Sequence, residues 1–133
     1  MVVYSGKDGS VLFSRYGENK GDGLGFSLAL LNDFDGAVDD GIAHADILAG
    51  APTATVVDSV TNKKLKKAGK LVVLSGFDGH VLLTTSGEQA GERMGFAVTG
   101  IDDQNGDGKM DIAGGAPYWL EVYDPYPNML KPR

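Results

Sequence analysis

A nine-residue segment near the end of the chain carries oxygen side chains at a spacing that suits a hard cation. It runs Asp103-Gln104-Asn105-Gly106-Asp107-Gly108-Lys109-Met110-Asp111. Its first, third, fifth and ninth residues offer carboxylate or amide oxygens, and glycines occupy the fourth and sixth positions. Two carboxylates about 4 Å apart repel by on the order of 4 kcal/mol at an effective dielectric near 20. A divalent cation removes this repulsion, and oxygen ligands on a flexible loop favour calcium.

A second acidic segment, residues 33–46, has a similar composition with a longer middle. Its candidate ligands are Asp33, Asp35, Asp39 and Asp46, with Asp40 as an alternative to Asp39. These carboxylates can converge on one ion if the inserted residues bulge outward. His44 is expected to be a loop residue, because a hard cation prefers oxygen. The sequence therefore predicts a second cation site here and favours the loop at 103–111, whose spacing no insertion disturbs.

Two other interpretations of residues 103–111 are less consistent with the sequence. An EF-hand loop needs a bidentate glutamate at its twelfth position, but that position is Gly114. The flanking residues are also strand-like rather than helical. A solvent-exposed acidic turn is the other alternative, but a hairpin needs one Asp-Gly pair and not four spaced oxygens.

The two acidic segments occupy the same place in an internal repeat. Three pairs of segments align, namely 5–12 with 75–82, 21–26 with 91–96, and 46–52 with 111–117. The offset is 70 residues before the acidic loops and 65 after them, because the first loop carries five extra residues. Repeats of this length are typical of propeller blades, solenoid turns and arrays.

Each copy predicts short strands separated by tight turns, and the chain as a whole is predicted to be all-β. The predicted strands are 2–5, 11–14, 26–31, 46–49, 70–75, 80–85, 96–101 and 111–114. Six Asp-Gly pairs punctuate these apolar runs, and glycine supplies the positive φ that a tight turn requires. The acidic loop then links the first two strands of a four-stranded antiparallel unit, and an Asp-Gly hairpin links the last two.

These residues together resemble the integrin-type FG-GAP repeat. Its name motifs occur twice, as Gly25-Phe26 with Gly50-Ala51-Pro52 and as Gly95-Phe96 with Gly115-Ala116-Pro117. An acidic loop lies between the two motifs in each copy, and the resemblance covers residues 1 to about 117. It implies a β-propeller built from four-stranded blades with calcium loops, as in integrin α-chain heads and many bacterial surface proteins.

The resemblance also implies roles for particular residues. The side chains of Asp103, Asn105, Asp107 and Asp111 match its ligand positions, and the Lys109 carbonyl takes the intervening backbone position. The glycines of the name motifs are expected where sheets crowd together, with Phe26 and Phe96 buried between blades. A structural, adhesion or protein-binding role at or outside the cell surface is implied, with a protein or glycan as the possible ligand.

Composition excludes several functional classes. A formal net charge of −6 and a pI near 4.7 argue against nucleic acid as a partner. The chain has no cysteine, and we expect neither a signal peptide nor a membrane span. No catalytic motif occurs and the two histidines, His44 and His80, have no predicted base partner, so an enzyme is not expected. The alternative is a scaffold fragment of a larger extracellular hydrolase or carbohydrate-active protein.

The predicted strands form about two blade equivalents. Residues 1–20 form a trailing half-blade, 21–86 a complete blade, 87–117 a leading half-blade, and 118–133 an outer strand or tail. A propeller typically needs four to eight blades, and unpaired sheet edges favour aggregation. Two partners could supply the missing halves: further copies of the chain, three or four associating head to tail into a ring of six or eight blades, or the rest of a longer propeller.

Overall fold

The computed structural model describes residues 1–39 and 41–118, and the regular structure in these ranges is entirely β. The strands are β1 (Val2–Tyr4), β2 (Val11–Ser14), β3 (Ser27–Leu30), β4 (Val38–Asp39), β5 (Ile42–Ala43), β6 (Ile47–Ala51), β7 (Val56–Val57), β8 (Lys64–Leu65), β9 (Lys70–Leu74), β10 (Val81–Ser86), β11 (Ala97–Ile101) and β12 (Asp111–Gly115). The all-β prediction is confirmed. None of the described residues belongs to a helix long and apolar enough to cross a membrane.

A four-stranded antiparallel sheet lies at the centre of the molecule. Its strands are ordered β10-β9-β6-β3, so each strand pairs with the next of the four along the chain. In the pairing of β6 with β9, Leu48 lies opposite Val73 and Ala49 opposite Val72. This topology is that of a four-stranded propeller blade, with the acidic loop between β3 and β6 and the Asp-Gly turn between β9 and β10.

The β11–β12 pair packs against one face of the central sheet, and residues that precede β1 and β3 cover the other face. Leu48, Leu71 and Val73 contact Val98 and Ile112 of the β11–β12 pair on one face. On the other face, Ala49, Val72 and Leu74 contact Met1, which precedes β1, as well as Leu24 and Ile47. Strands covered on both sides must be apolar at consecutive positions, which explains the continuous apolar runs in β6 and β9. The core is therefore centred on these two strands.

The internal repeat is also visible in the hydrogen bonds. The Ser5 N–H donates to Ser10 O at 2.7 Å, and the Ser75 N–H donates to His80 O at 2.9 Å. The glycines of these turns, Gly9 and Gly79, share a φ of 76°, as the Asp-Gly pattern predicts. The two copies thus have the same local geometry at the aligned positions.

Each of the eight predicted strands has a counterpart in the structure within a few residues. Two short hairpins were not predicted: β4 with β5 in the first acidic loop, and β7 with β8 after it. The partition into one whole blade and two half-blades stays a prediction. The expected outer strand or tail at 118–133 lies outside the described residues, apart from Tyr118.

The expectation that Phe26 and Phe96 are buried between blades is wrong for this chain. Their rings contact each other, with centroids 5.1 Å apart, but 60% and 39% of their surfaces remain exposed. Phe26 directly precedes β3 and Phe96 directly precedes β11, so their contact connects the two sheets. Each follows a glycine with positive φ. They therefore line a surface rather than fill the core.

Candidate cation-binding loops

Three carboxylates of the first acidic loop converge in the structure. One oxygen each of Asp33, Asp35 and Asp46 lies within 4.8 Å of the other two. Asp33 and Asp35 follow β3, whereas Asp46 directly precedes β6, so the pairing of β3 with β6 brings the two ends of the loop together. Three carboxylates at this separation are a donor set that fits a hard cation such as calcium.

Asp46 is the most constrained of the three, with only 1% of its surface exposed. Its Oδ2 accepts hydrogen bonds from the Phe34 N–H at 2.7 Å and the Asp35 N–H at 3.4 Å. Its Oδ1 accepts from the Gly76 N–H, in the β9–β10 turn, at 2.9 Å. A buried carboxylate requires such charge-assisted partners. Asp46 thus joins the acidic loop to the hairpin that ends the same sheet.

Gly76 can approach Asp46 only because it has no side chain. A Cβ at this position would lie 1.8 Å from the Ala45 carbonyl oxygen. Sequence reasoning missed this contact, although the repeated Ser-Gly at the start of both Asp-Gly turns was a usable signal. The Gly76 N–H is the third donor to Asp46, and a side chain at this position would clash with Ala45. This is why glycine follows Ser75.

The insertion in the first loop bulges outward as a hairpin of its own. Val38 pairs with Ala43 and Asp39 with Ile42, so the five extra residues are taken up without separating the loop ends. The condition for convergence is therefore met for Asp33, Asp35 and Asp46. For Asp39 the structure describes only the backbone, in β4, and Asp40 lies outside the described residues.

The second acidic loop repeats the hydrogen bonds of the first. Oδ1 of Asp103 accepts from the Gly106 N–H at 2.6 Å, as Oδ1 of Asp33 accepts from the Gly36 N–H at 2.7 Å. The Asp107 N–H donates to Asn105, as the Ala37 N–H donates to Asp35. The Gln104 N–H donates to Asp111, as the Phe34 N–H donates to Asp46. Both loops therefore follow one template.

The second loop is nevertheless more open than the first. Residues 102–109 are exposed and Asp111 is half-buried. In the described part of the chain, the trio Asp103, Asp107 and Asp111 does not close as tightly as the trio of the first loop. The sequence favours this loop, whereas the tighter carboxylate group lies in the other one. The predicted ligand role of the Lys109 carbonyl stays a prediction.

Backbone hydrogen bonds stabilise the charged form of Asp103. The Gly108 N–H donates to its Oδ2 at 2.7 Å, and this bond is the main reason why the pKa of Asp103 lies below its usual 3.8. Hydrogen bonds to a carboxylate favour ionisation. A lowered folded-state pKa stabilises the fold above the unfolded-state pKa, and this contribution is lost as pH falls through the folded-state value. This contribution of Asp103 is therefore fully present at neutral pH.

The two acidic loops are neighbours on one edge of the molecule. The Nζ of Lys109 lies 5.7 Å from the centre of the Phe34 ring, and the Asn32 N–H donates to Met110 Sδ at 3.4 Å. These contacts join the loop at 33–46 to the loop at 103–111. Sequence reasoning assigned the loops to separate units and had no signal for their contact.

Comparison with known proteins identifies integrin alpha chains as relatives. No protein-family model matches the chain. Integrin alpha-PS2 of Drosophila melanogaster is 37% identical over 113 residues, which cover 80% of this chain and 8% of that protein. Integrin alpha-V of Gallus gallus is 30% identical over 118 residues, which cover 87% of this chain and 11% of that protein. The chain resembles a segment of integrin alpha chains.

The integrin-like resemblance predicted from the FG-GAP motifs is therefore confirmed at the level of integrin alpha chains. The chain spans about a tenth of the length of these relatives. The bacterial branch of the resemblance stays a prediction. The chain is thus an all-β, integrin-like module with two acidic loops.

Proposed function

We propose that this integrin-like chain is a calcium-binding β-propeller module with a structural, adhesion or protein-binding role and no catalytic activity. The observation that carries the proposal is the convergence of Asp33, Asp35 and Asp46 to within 4.8 Å. The same hydrogen-bond template in the loop at 103–111 extends the proposal to a second site.

Calcium at the first site would be held by the carboxylates of Asp33, Asp35 and Asp46, with Asp39 as a further candidate. At the second site the ligands would be Asp103, Asn105, Asp107 and Asp111, with the Lys109 carbonyl. The ion supplies positive charge that neutralises the converging carboxylates. Because each loop joins the first two strands of a unit, bound calcium stabilises the pairing of those strands.

The adhesion part of the proposal rests on the likeness to integrin alpha chains. We place the module at or outside the cell surface for the same reason. A protein or glycan would bind through the exposed loops, since loops on a rigid scaffold carry most recognition. Calcium then acts indirectly, by holding those loops in one conformation.

Calcium stoichiometry tests the two sites separately. Isothermal titration calorimetry should show two calcium ions per chain for the parent protein and one for Asp107→Ala or Asp35→Ala. Each substitution removes one carboxylate from a single site. Asp102→Ala is the matched control, because it removes the same charge beside the second loop without touching the ligand set. Equal binding by Asp107→Ala, Asp35→Ala and Asp102→Ala would refute the assignment.

A further inference from the structure

The pairing of β6 with β9 in the central sheet is a template for a contact between two copies of the chain. In that sheet, β6 pairs with β9. By the internal repeat, β12 is the counterpart of β6 and β1 is the counterpart of β9. In the described residues, β12 pairs only with β11 and β1 only with β2. The strand that would follow β12 in the sheet is therefore present in the chain, but it lies on the other side of the central sheet.

We propose that β12 of one copy pairs with β1 of a second copy, so that two half-sheets become one four-stranded sheet. The register copies that of β6 with β9, in which Ile47 lies opposite Leu74 and Gly50 opposite Leu71. The predicted pairs, with the second residue taken from the second copy, are Ile112 with Tyr4, Ala113 with Val3, Gly114 with Val2, and Gly115 with Met1. This pairing requires no bound calcium.

Exposed apolar side chains in β1 support the pairing. Val2 and Tyr4 are 40% and 60% exposed, whereas their counterparts in β9, Val72 and Leu74, are 9% and 1% exposed. In the new sheet, Val2 and Tyr4 of the second copy would face the central sheet of the first copy. Burying apolar surface stabilises association by roughly 25 cal/mol per Å² before the costs of binding.

A second apolar surface lies on β3. Leu28 and Leu30 are 53% and 74% exposed, while the alternate residues Ala29 and Leu31 pack into the core cluster beside β11. Successive side chains of a strand point to opposite faces, so the two leucines face the side away from β11. When β12 of another copy pairs with β1, the β11–β12 pair of that copy would cover Leu28 and Leu30.

Gly115 and Gly6 have open surroundings, whereas the glycines at the equivalent positions of the repeat, Gly50 and Gly76, are tightly packed. A Cβ on Gly50 would lie 2.0 Å from the carbonyl oxygen of Gly95, just before β11. Among the described residues, a Cβ on its counterpart Gly115 would meet no atom closer than 3.7 Å. Likewise, a Cβ on Gly76 would meet Ala45, but one on Gly6 would meet none of the described residues within 4 Å. A second copy paired in this register would place atoms beside both glycines.

The pairing also completes the second acidic loop. In the first loop, the Gly76 N–H donates to Oδ1 of Asp46. Gly6 is the counterpart of Gly76, and Asp111 is the counterpart of Asp46. The Gly6 N–H of the second copy would therefore donate to Asp111, which within residues 1–39 and 41–118 accepts from Gln104 through Oδ2. The loop at 103–111 is the more open of the two, and its third hydrogen-bond donor would come from the second copy.

The contact is head to tail, so it closes only by rotation. Each copy contributes about two blade equivalents, and propellers contain four to eight blades. Three or four copies would form a ring of six or eight blades. In this ring, β12 and the exposed face of β11 of one copy contact β1 and β3 of the next copy.

Disulfide trapping tests the register. The chain has no cysteine of its own. Val3→Cys with Ala113→Cys places the two thiols opposite each other across the junction, on one face, as Leu48 lies opposite Val73. Within one chain, β1 and β12 lie on opposite sides of the central sheet, about 20 Å apart at the usual spacing of packed sheets. Mild oxidation should therefore give covalent oligomers.

The matched control for trapping is Ser14→Cys with Ala113→Cys. Ser14 lies opposite Val2 in β2, one strand further from the junction, so its Cα would be beyond the roughly 7 Å limit for a disulfide. Cross-linking of the Val3 pair at least tenfold faster than the control pair supports the proposal. Equal rates for the two pairs would overturn it, because non-specific association would explain them.

Light scattering tests the assembly itself. The parent chain should have three or four times the mass of one 13.9 kDa chain. Tyr4→Lys should give single chains with unchanged β-structure by circular dichroism, because it places a charge in the junction but is exposed in the free chain. Tyr16→Lys, at a residue 83% exposed, should keep the mass of the parent. A parent chain that is monodisperse at 13.9 kDa with full β-structure would overturn the proposal.

Discussion

Replacing Asp46 by alanine should destabilise the chain by about 3 kcal/mol or more. The carboxylate is buried and accepts from Phe34, Asp35 and Gly76. Removing it leaves those donors without their partner, and each unsatisfied buried group costs roughly 1 to 3 kcal/mol. Native domains are stable by only about 5 to 15 kcal/mol, so this loss is a large part of the free energy of unfolding. Urea unfolding in the presence of chelator measures this effect apart from any calcium.

The repeat provides the control for this prediction. Asp111→Ala removes the counterpart carboxylate, which is half-buried and accepts from Gln104. Its cost should be near 1 kcal/mol, the usual contribution of one hydrogen bond. Both variants are compared in chelator at concentrations where light scattering gives the mass of a single chain, because in the proposed assembly Asp111 would gain a third donor from the second copy. If they then lose the same stability, Asp46 does not connect the loop to the β9–β10 turn as described.

Replacing Gly50 by alanine should be as damaging, for a steric reason. The new Cβ would lie 2.0 Å from the carbonyl oxygen of Gly95 and 2.3 Å from Oγ of Ser27. The first of these atoms belongs to the backbone just before β11, so relieving the clash requires the β11–β12 pair to move away from the central sheet. Overpacking a core costs typically 1 to 3 kcal/mol and sometimes more, and we expect the upper end because a whole sheet must move.

The reference for this variant is Gly115→Ala. Its new Cβ would make ordinary contact with Ala97 at 3.7 Å, so the free chain should lose less than about 1 kcal/mol. Both variants are compared by urea unfolding at concentrations where light scattering gives the mass of a single chain. If the Gly50→Ala variant is as stable as the Gly115→Ala variant, the central sheet does not pack closely on the β11–β12 pair.

The strands of the repeat could be predicted because their signals are local. Apolar runs bounded by Asp-Gly turns specify β9 and β10, for example, without reference to the rest of the chain. The hairpins β4–β5 and β7–β8 could not be predicted in this way. Their strands are two residues long and include charged or exposed positions such as Lys64, so they form where the chain doubles back between longer strands.

The candidate ligands could be predicted, but their environment could not. The spacing of Asp33, Asp35 and Asp46 in the sequence indicates that they form one ligand set. Nothing local to the loop indicated that Gly76, thirty residues further on, donates to Asp46. The exposure of Phe26 was likewise mispredicted, because burial between sheets depends on neighbours that these residues do not specify. Tertiary contacts decided these points.

Calcium-dependent thermal unfolding tests the account most directly. The parent chain is melted in calcium, in chelator, and in magnesium at the same concentration as the calcium. Calcium at 100 times its dissociation constant should stabilise the folded chain by about 2.7 kcal/mol per site, and magnesium should do less because it demands a stricter octahedral geometry. We predict a higher melting temperature in calcium than in chelator. An unchanged melting temperature in chelator would contradict the claim that calcium holds these loops.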